Sequence, residues 1–117
     1  MYQNLKVYQL ALDLCVEVYK ITEHFPASET FGLVAQIRRA VVSMPSNIAE
    51  GASRGSFREQ VRFYYIARGS LAEVETQLEL CIRLGFIKCR LHSRTQQVYK
   101  LLNALIKSTK LRFSANN

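Results

Sequence analysis

The sequence is poor in the residues and runs that mark secreted, membrane or disulfide-linked proteins. Its 117 residues include no tryptophan, two prolines, five glycines and three cysteines. No apolar run reaches the roughly 18 residues that a membrane-spanning helix needs, and the N-terminal residues lack the pattern of a secretory signal. The odd number of cysteines, without Cys-x-x-Cys spacing, indicates neither a disulfide framework nor a zinc site. We therefore expect a soluble, cytoplasmic protein that needs no metal, cofactor or membrane.

Catalytic constellations are also missing from the sequence. The two histidines, His24 and His92, fall near predicted helix ends, where a solvated or capping imidazole is the ordinary role. No Gly-x-Ser-x-Gly motif, phosphate-binding loop or dinucleotide fingerprint occurs. A metal site in a helical bundle would need clustered ligands such as Glu-x-x-His, and that motif does not occur either. We expect a protein that is not an enzyme and has no catalytic residues.

Acidic residues are absent from the C-terminal third of the chain. Residues 1–79 contain eight basic and nine acidic residues, whereas residues 80–117 contain eight basic residues and no acidic one, so this third supplies the whole net charge of +7. Such a one-sided field attracts polyanions, either nucleic acid or acidic protein surfaces. The same excess can also serve as a solubilising surface.

Apolar residues recur at steps of three and four in four segments, which is the spacing of amphipathic helices. The first segment begins with Asn4 as a candidate N-cap and ends near His24. The second begins near Ser28 or Thr30. Pro45 lies inside the second pattern, so we expect either a kink or a break of the helix there.

The other two segments carry clearer boundary signals. Ser56 and Glu59 form a capping box for the third helix, and Gly85 suits a left-handed cap at its C-terminus. Ser93 and Gln96 form a second candidate capping box for the fourth helix. The hydrophobic content of 49% suffices for a core, and no strand alternation or repeat is evident. The sequence predicts an all-α fold, an antiparallel up-down four-helix bundle, as a single domain over residues 1–117.

Two helices present more apolar surface than one neighbour can cover. On the first helix, Tyr8 and Tyr19 belong to an apolar line beside the predicted core face. On the second helix, Val42, Pro45 and Ala49 widen the apolar stripe to about half the circumference at 100 degrees per residue. We expect these five residues to form an interface in a homo-oligomer.

A polar stripe on the second helix has three alternative interpretations. It is a recognition surface, a set of charge pairs between helices that fixes register, or the site of an enzyme. We favour charge pairs, in which Arg38 or Arg39 binds Glu50, Glu73 or Glu75, because these carboxylates would repel a phosphate backbone. The residues assigned to this structural network are Arg38, Arg39, Asn47, Glu50, Arg68 and Glu73.

Basic and aromatic residues alternate on the third helix. Arg58, Arg62 and Tyr65 recur at i, i+4 and i+7, with Arg54 just upstream. Guanidinium groups beside an aromatic ring suit phosphate contact and base stacking, although an ordinary charged face looks the same. The candidate nucleic-acid-binding residues are Arg54, Arg58, Arg62, Tyr65, Lys88, Arg90, Arg94, Lys100, Lys107 and Lys110.

Three blocks of sequence are too particular for a generic helix. They are FGLVAQIRRAVVSMPSNIAEG at residues 31–51, the groups RF, IARGSL and EVE within residues 62–75, and LKVY at residues 5–8. In these blocks the chain resembles the four-helix-bundle proteins encoded by intervening sequences within bacterial 23S ribosomal RNA genes. That family is related to the accessory variability protein of diversity-generating retroelements. The resemblance extends from Leu5 to Lys107.

The resemblance implies a homopentameric ring of four-helix bundles. Intervening-sequence proteins have no established biochemical activity, whereas the accessory variability protein is a basic ring that binds nucleic acid and a reverse transcriptase. The chain departs from many relatives near the start of the fourth helix, where Lys88, Arg90 and Arg94 replace acidic residues. This departure favours the binding of polyanions.

We therefore expect a non-catalytic, oligomeric, basic scaffold that binds RNA or DNA mainly through phosphate contacts. The alternative is a protein-interaction adaptor whose ring presents a basic surface to a nucleic-acid enzyme such as a reverse transcriptase.

Overall fold

Four α-helices account for most of the chain. The computed structural model describes residues 2–115, without the side chains of residues 113 and 115. Within this range the helices are α1 (Lys6–Thr22), α2 (Leu33–Ala52), α3 (Phe57–Arg83) and α4 (His92–Ala115), and no strand occurs. Short 3-10 turns at Tyr2–Asn4 and Ala27–Glu29 precede α1 and α2. The prediction of an all-α fold with four helices is confirmed.

One apolar cluster joins all four helices. Each helix buries residues three or four positions apart, as α1 does with Ala11, Leu14 and Val18, because this spacing keeps side chains on one face. α4 contributes Val98 and Leu102, both fully buried. Burial of each such aliphatic side chain is worth about 1.5–3 kcal/mol, so this cluster is the main source of stability.

The helices pack in a closed cycle. α2 lies between α1 and α3, and α4 packs against both α3 and α1. Where two contacts join the same two helices, residue numbers rise along one helix as they fall along the other. The contacts are Cys15–Val41 and Thr22–Arg38 for α1 with α2, Ser43–Ser70 and Gly51–Tyr64 for α2 with α3, Arg68–Asn103 and Glu75–Thr95 for α3 with α4, and Glu17–Arg94 for α1 with α4.

The predicted boundaries of α3 are confirmed. The Ser56 hydroxyl accepts a hydrogen bond from the Glu59 backbone N–H at 3.2 Å, which satisfies one of the free donors of the first turn. At the other end, Gly85 has φ of 81° and the Phe86 N–H donates to the Cys81 carbonyl at 2.9 Å. This pattern closes the helix, and it favours glycine because the left-handed conformation strains other residues.

Three predicted helix starts differ from the structure. Ser28 lies in the 3-10 turn Ala27–Glu29 and Thr30 directly follows it, whereas α2 begins at Leu33. Asn4 lies in the 3-10 turn Tyr2–Asn4, and α1 is preceded by Leu5, which makes no side-chain capping bond. Ser93 lies inside the first turn of α4, after Leu91, which has φ of 57°. Gln96 does not bond back to Ser93, because its side chain donates to Glu75 of α3 at 3.2 Å.

The predicted break at Pro45 does not occur, because α2 is continuous from Leu33 to Ala52. Proline lacks the N–H that would bond the carbonyl four residues earlier, which belongs to Val41. The Cys15 thiol of α1 donates to this carbonyl at 3.1 Å. A side chain from the neighbouring helix thus replaces the missing donor, and the helix continues.

None of the helices between residues 2 and 115 combines the length and the hydrophobicity needed to cross a bilayer.

Candidate nucleic-acid interface

The predicted nucleic-acid-binding residues lie in three regions of the elongated bundle, whose longest dimension is 52 Å. One region is a groove between α3 and α4, one is the turn between α2 and α3, and one is the opposite end of the bundle, around the α3–α4 connection. Lys100 lies exposed on α4, between the groove and that opposite end. The structure therefore does not bring the ten residues together into one patch.

The groove between α3 and α4 is centred on Tyr65, whose side chain is 36% exposed. The Arg68 guanidinium carbon and the Lys110 ammonium nitrogen lie 4.7 and 4.8 Å from the centre of its ring. Lys110 also donates a hydrogen bond to the Tyr65 hydroxyl. Arg68 donates to the Asn103 side-chain oxygen at 3.0 Å, and this bond fixes its guanidinium across the two helices. An aromatic ring flanked by two cations is thus built into the helix pair.

Two hollows of this groove meet at Tyr65 and Arg68. The first, which we call the basic hollow, continues along α4 past Asn103 to Lys107 and Lys110. The second, which we call the tyrosine hollow, is bounded by Tyr65, Arg68, Gly69, Ala72, Glu75 and Tyr99. α4 itself carries five basic residues and no acidic one, so the field in the basic hollow is positive.

The turn between α2 and α3 holds two arginines that are already engaged and a third, Arg58, that is exposed and forms no ion pair within residues 2–115. Arg54 pairs with Glu50 at 3.0 Å, and Arg62 pairs with Glu59 at 3.2 Å. Both guanidinium groups also lie over the ring of Phe63, at 4.6 and 4.9 Å. These exposed ion pairs are weak, but each carboxylate offsets part of the positive charge that the arginine presents to a polyanion.

The opposite end of the bundle is also partly neutralised. Arg90 and Arg83 both bind the Glu79 carboxylate, Arg83 at 3.2 Å. The hydrogen bond from Arg90, followed by that from Arg83, lowers the pKa of Glu79. Arg94 pairs with Glu17 of α1 at 2.8 Å. Two of the three basic residues predicted here, Arg90 and Arg94, are therefore occupied with carboxylates, whereas Lys88 is exposed.

The predicted network of charge pairs does not form within the described subunit. Arg38 does not bind a carboxylate; instead it donates to the Thr22 hydroxyl at 2.9 Å and to the Tyr19 carbonyl at 3.2 Å. These acceptors lie at the C-terminal end of α1, where a helix favours a cation. The other members separate. Asn47 bonds Ser43, Glu50 binds Arg54, Arg68 binds Asn103, and Arg39 and Glu73 are exposed.

The predicted oligomer residues lie on the side of the bundle formed by α1 and α2. Tyr8, Val42, Pro45 and Ala49 line one shallow apolar groove there. Pro45 is buried in the subunit and contributes only to the floor of this groove. Tyr19 lies elsewhere on α1, with the Arg38 guanidinium 4.4 Å from the centre of its ring. The predicted residues thus divide between a groove and a separate exposed ring.

Residues of the α3–α4 groove that the sequence analysis missed include Tyr99 and Asn103. A periodic signal existed, since Tyr99, Asn103, Lys107 and Lys110 follow one another at steps of four, four and three on α4. Arg68 had been assigned to the charge-pair network, yet it lies in both hollows of the groove. The role of Arg68 depends on which neighbouring helix it faces, and the pattern of a single helix does not reveal that neighbour.

The arrangement is suited to holding anions and aromatic rings. Within residues 2–115, no group of three or more His, Cys, Asp or Glu side chains is placed to hold a metal ion. Burial raises the pKa of the Cys15 thiol to about 11 and raises the pKa of Cys81 as well, so both stay protonated at neutral pH. The groove offers cations, amide groups and two half-exposed tyrosine rings for binding.

Comparison with known proteins identifies the family of the chain. No curated protein matches the chain. The sequence model of one family, described as the 23S rRNA-intervening sequence protein, matches residues 3–109 and so covers all of α1, α2 and α3 and most of α4. The chain belongs to the 23S rRNA-intervening sequence protein family.

Proposed function

We propose that this protein is a non-catalytic, oligomeric scaffold that binds RNA or DNA through phosphate contacts at the α3–α4 groove. The observation that carries the proposal is the placement of Arg68, Lys107 and Lys110 around an exposed tyrosine, on a helix pair whose α4 has no carboxylate. Cations next to an aromatic ring are the ordinary means by which proteins bind nucleic acid without reading its sequence.

The charge distribution favours this groove over the other basic regions. Of the seven predicted basic residues outside the groove, four pair with a carboxylate of the same subunit and three are exposed; the paired ones are Arg54, Arg62, Arg90 and Arg94, and the exposed ones are Arg58, Lys88 and Lys100. Lys107 and Lys110 form no ion pair with any side chain in the described part of the chain. A phosphate that binds them does not have to displace a carboxylate, so their counterions are the ones released on binding.

The assembly in this proposal is a homopentameric ring of antiparallel up-down bundles located in the cytoplasm. The cross-helix contacts support the up-down order, because residue numbers run in opposite directions along neighbouring helices. The exposed apolar side chains of α1 and α2 support self-association, since Val16 and Val42 are 53% and 42% exposed. A ring would repeat the α3–α4 groove in each subunit and so raise the affinity for a long polyanion.

Binding of labelled ribosomal RNA fragments and of random duplex DNA, measured across a salt series, tests the proposal. We expect salt-sensitive binding by an oligomer whose mass is measured by light scattering in the same sample. The variant Lys107→Gln/Lys110→Gln should bind more weakly. The control Lys6→Gln/Lys20→Gln loses the same charge from two exposed lysines of α1 and should bind nearly as the wild type does.

Two results would contradict the proposal. Equal losses in the two double variants would place the contacts outside the groove. No binding at low salt, with the oligomer intact, would instead favour the adaptor that presents its basic surface to a partner protein, for example a reverse transcriptase, and a pull-down would then test that function.

A further inference from the structure

We infer that the α3–α4 groove is specific for single-stranded nucleic acid and holds an unpaired base in the tyrosine hollow, next to phosphates bound by Lys107 and Lys110. This inference rests on the proposed function and adds to it the class of ligand and the position of the base.

Two aromatic rings are available for stacking in the tyrosine hollow. Tyr65 and Tyr99 come from neighbouring helices, line the same hollow, and are 36% and 39% exposed. Neither side chain is needed to fill the core, whose tyrosine is Tyr64 at 2% exposure. Half-exposed rings of this kind offer a face to any base, and stacking on them does not depend on sequence.

The Arg68 guanidinium extends the stacking surface at Tyr65. It lies 4.7 Å from the centre of the Tyr65 ring and is held by the Asn103 side chain at 3.0 Å. Because this bond already fixes the arginine, little side-chain freedom remains to be lost when a base stacks there. Bases stack on planar guanidinium groups as well as on aromatic rings.

The floor of the tyrosine hollow is made of small residues. Gly69 and Ala72 of α3 line the hollow together with the two rings, and a Cβ atom added at Gly69 would meet no atom within 4 Å. The space above the floor is therefore open to solvent and free of side chains. A planar base can approach the α3 backbone at this point.

The two hollows of the groove differ in charge. Lys107 and Lys110 lie in the basic hollow, whereas the Glu75 carboxylate borders the tyrosine hollow and accepts hydrogen bonds from Thr95 and Gln96, both at 3.2 Å. Glu75 would repel a phosphate but can accept from an amino group of a base. The backbone of the ligand is thus directed to the lysines and the base to the tyrosines.

A duplex is poorly suited to placing its phosphates at the lysines and a base at the tyrosines. Its bases are paired and stacked inside the helix, so only phosphates and groove edges reach a protein surface, and an extruded base costs unstacking energy. Single strands present splayed bases without this cost. The groove should therefore bind a single strand more tightly than the same strand in a duplex.

The test compares one labelled RNA strand with the same strand annealed to its complement, by fluorescence anisotropy on the intact oligomer. Tyr65→Leu and Tyr99→Leu should each weaken single-strand binding by about 5- to 150-fold, the range expected for loss of one stacked base. Tyr65→Phe and Tyr99→Phe keep the ring and should retain most of the single-strand affinity. Phe31→Leu removes an exposed ring outside the groove and serves as the control that should bind as the wild type does. The leucine variants should lose more affinity for the single strand than for the duplex, and circular dichroism should show that each variant is folded.

The outcomes separate this inference from the proposed function. Equal affinity for the two RNA forms, with the leucine variants binding as the wild type does, would refute the inference and leave phosphate binding intact. Failure of both RNA forms to bind at low salt would refute both. A loss in the phenylalanine variants equal to that in the leucine variants would show that the hydroxyl groups act and the rings do not.

Discussion

The hydrogen bond between Cys15 and Val41 allows a quantitative test of how α2 tolerates Pro45. Val41 is fully buried, and its carbonyl accepts from the Cys15 thiol because Pro45 has no N–H to offer. Cys15→Ala should leave this carbonyl without a donor. Pro45→Ala restores the N–H, so the same cysteine substitution should cost less in that background.

The expected coupling free energy is about 1 kcal/mol. A buried acceptor left without its donor costs about 1–3 kcal/mol, and a thiol is a weak donor, which places the value at the lower end. The double-mutant cycle removes the other effects, since the packing loss at Cys15 and the change of helix propensity at position 45 occur in both backgrounds. Cys15→Ala should therefore destabilise the wild type by about 1 kcal/mol more than it destabilises Pro45→Ala.

Urea unfolding followed by circular dichroism measures the four proteins of the cycle. All four must be compared at one protein concentration, because the stability of an oligomer depends on it. A coupling below about 0.3 kcal/mol is within the usual additivity error and would refute this role of the Cys15 thiol.

Three further predictions concern packing, pH and assembly. Gly51→Ala should destabilise the protein by about 1 kcal/mol in urea unfolding, because its Cβ would lie 2.7 Å from a ring carbon of Tyr64 and this overpacking exceeds the gain in helix propensity. Gly69→Ala should stabilise the protein by about 0.5–1 kcal/mol, since no atom lies within 4 Å of the added Cβ. Equal effects of the two substitutions would contradict this packing argument. Burial raises the pKa of Cys15 from 9.0 to about 11, so the contribution of the protonated thiol to stability is complete below pH 9 and is lost as the pH rises toward 11. In urea unfolding at a series of pH values, the wild type should lose more stability across this window than Cys15→Ala does. Parallel curves for the two proteins would contradict this role of the thiol. Val42→Asp should lower the mass measured by light scattering while helicity is retained, and an unchanged mass would show that the α1–α2 groove is not an interface.

Local signals predicted those parts of the fold that depend on neighbours in sequence. Ser56 and Gly85 set the ends of α3 through bonds within a few residues, so both were identified from sequence. The continuity of α2 through Pro45 depends on Cys15, which is distant in sequence and acts across a helix interface. The sequence alone predicted either a kink or a break at Pro45, and the break does not occur, for a tertiary reason.

The candidate site was predictable only in part, for a related reason. Periodicity places Tyr65 and Lys110 on the exposed sides of two helices, but only packing shows that they touch. Arg38 was expected to bind a carboxylate, yet the end of α1 is the nearer partner. Which cations stay free for a ligand depends on such pairings, so the distinction between the α3–α4 groove and the other basic regions needed the structure.

The salt dependence of nucleic-acid binding by Lys107→Gln/Lys110→Gln shows whether these two lysines contact phosphates. Each phosphate contact contributes about 0.9 to the slope of log affinity against log salt for duplex DNA and about 0.7 for single strands. The account predicts that the slope of the double variant is shallower than that of the wild type by about 1.4 to 1.8. An unchanged slope, or a wild-type protein that binds no nucleic acid at low salt, would contradict it.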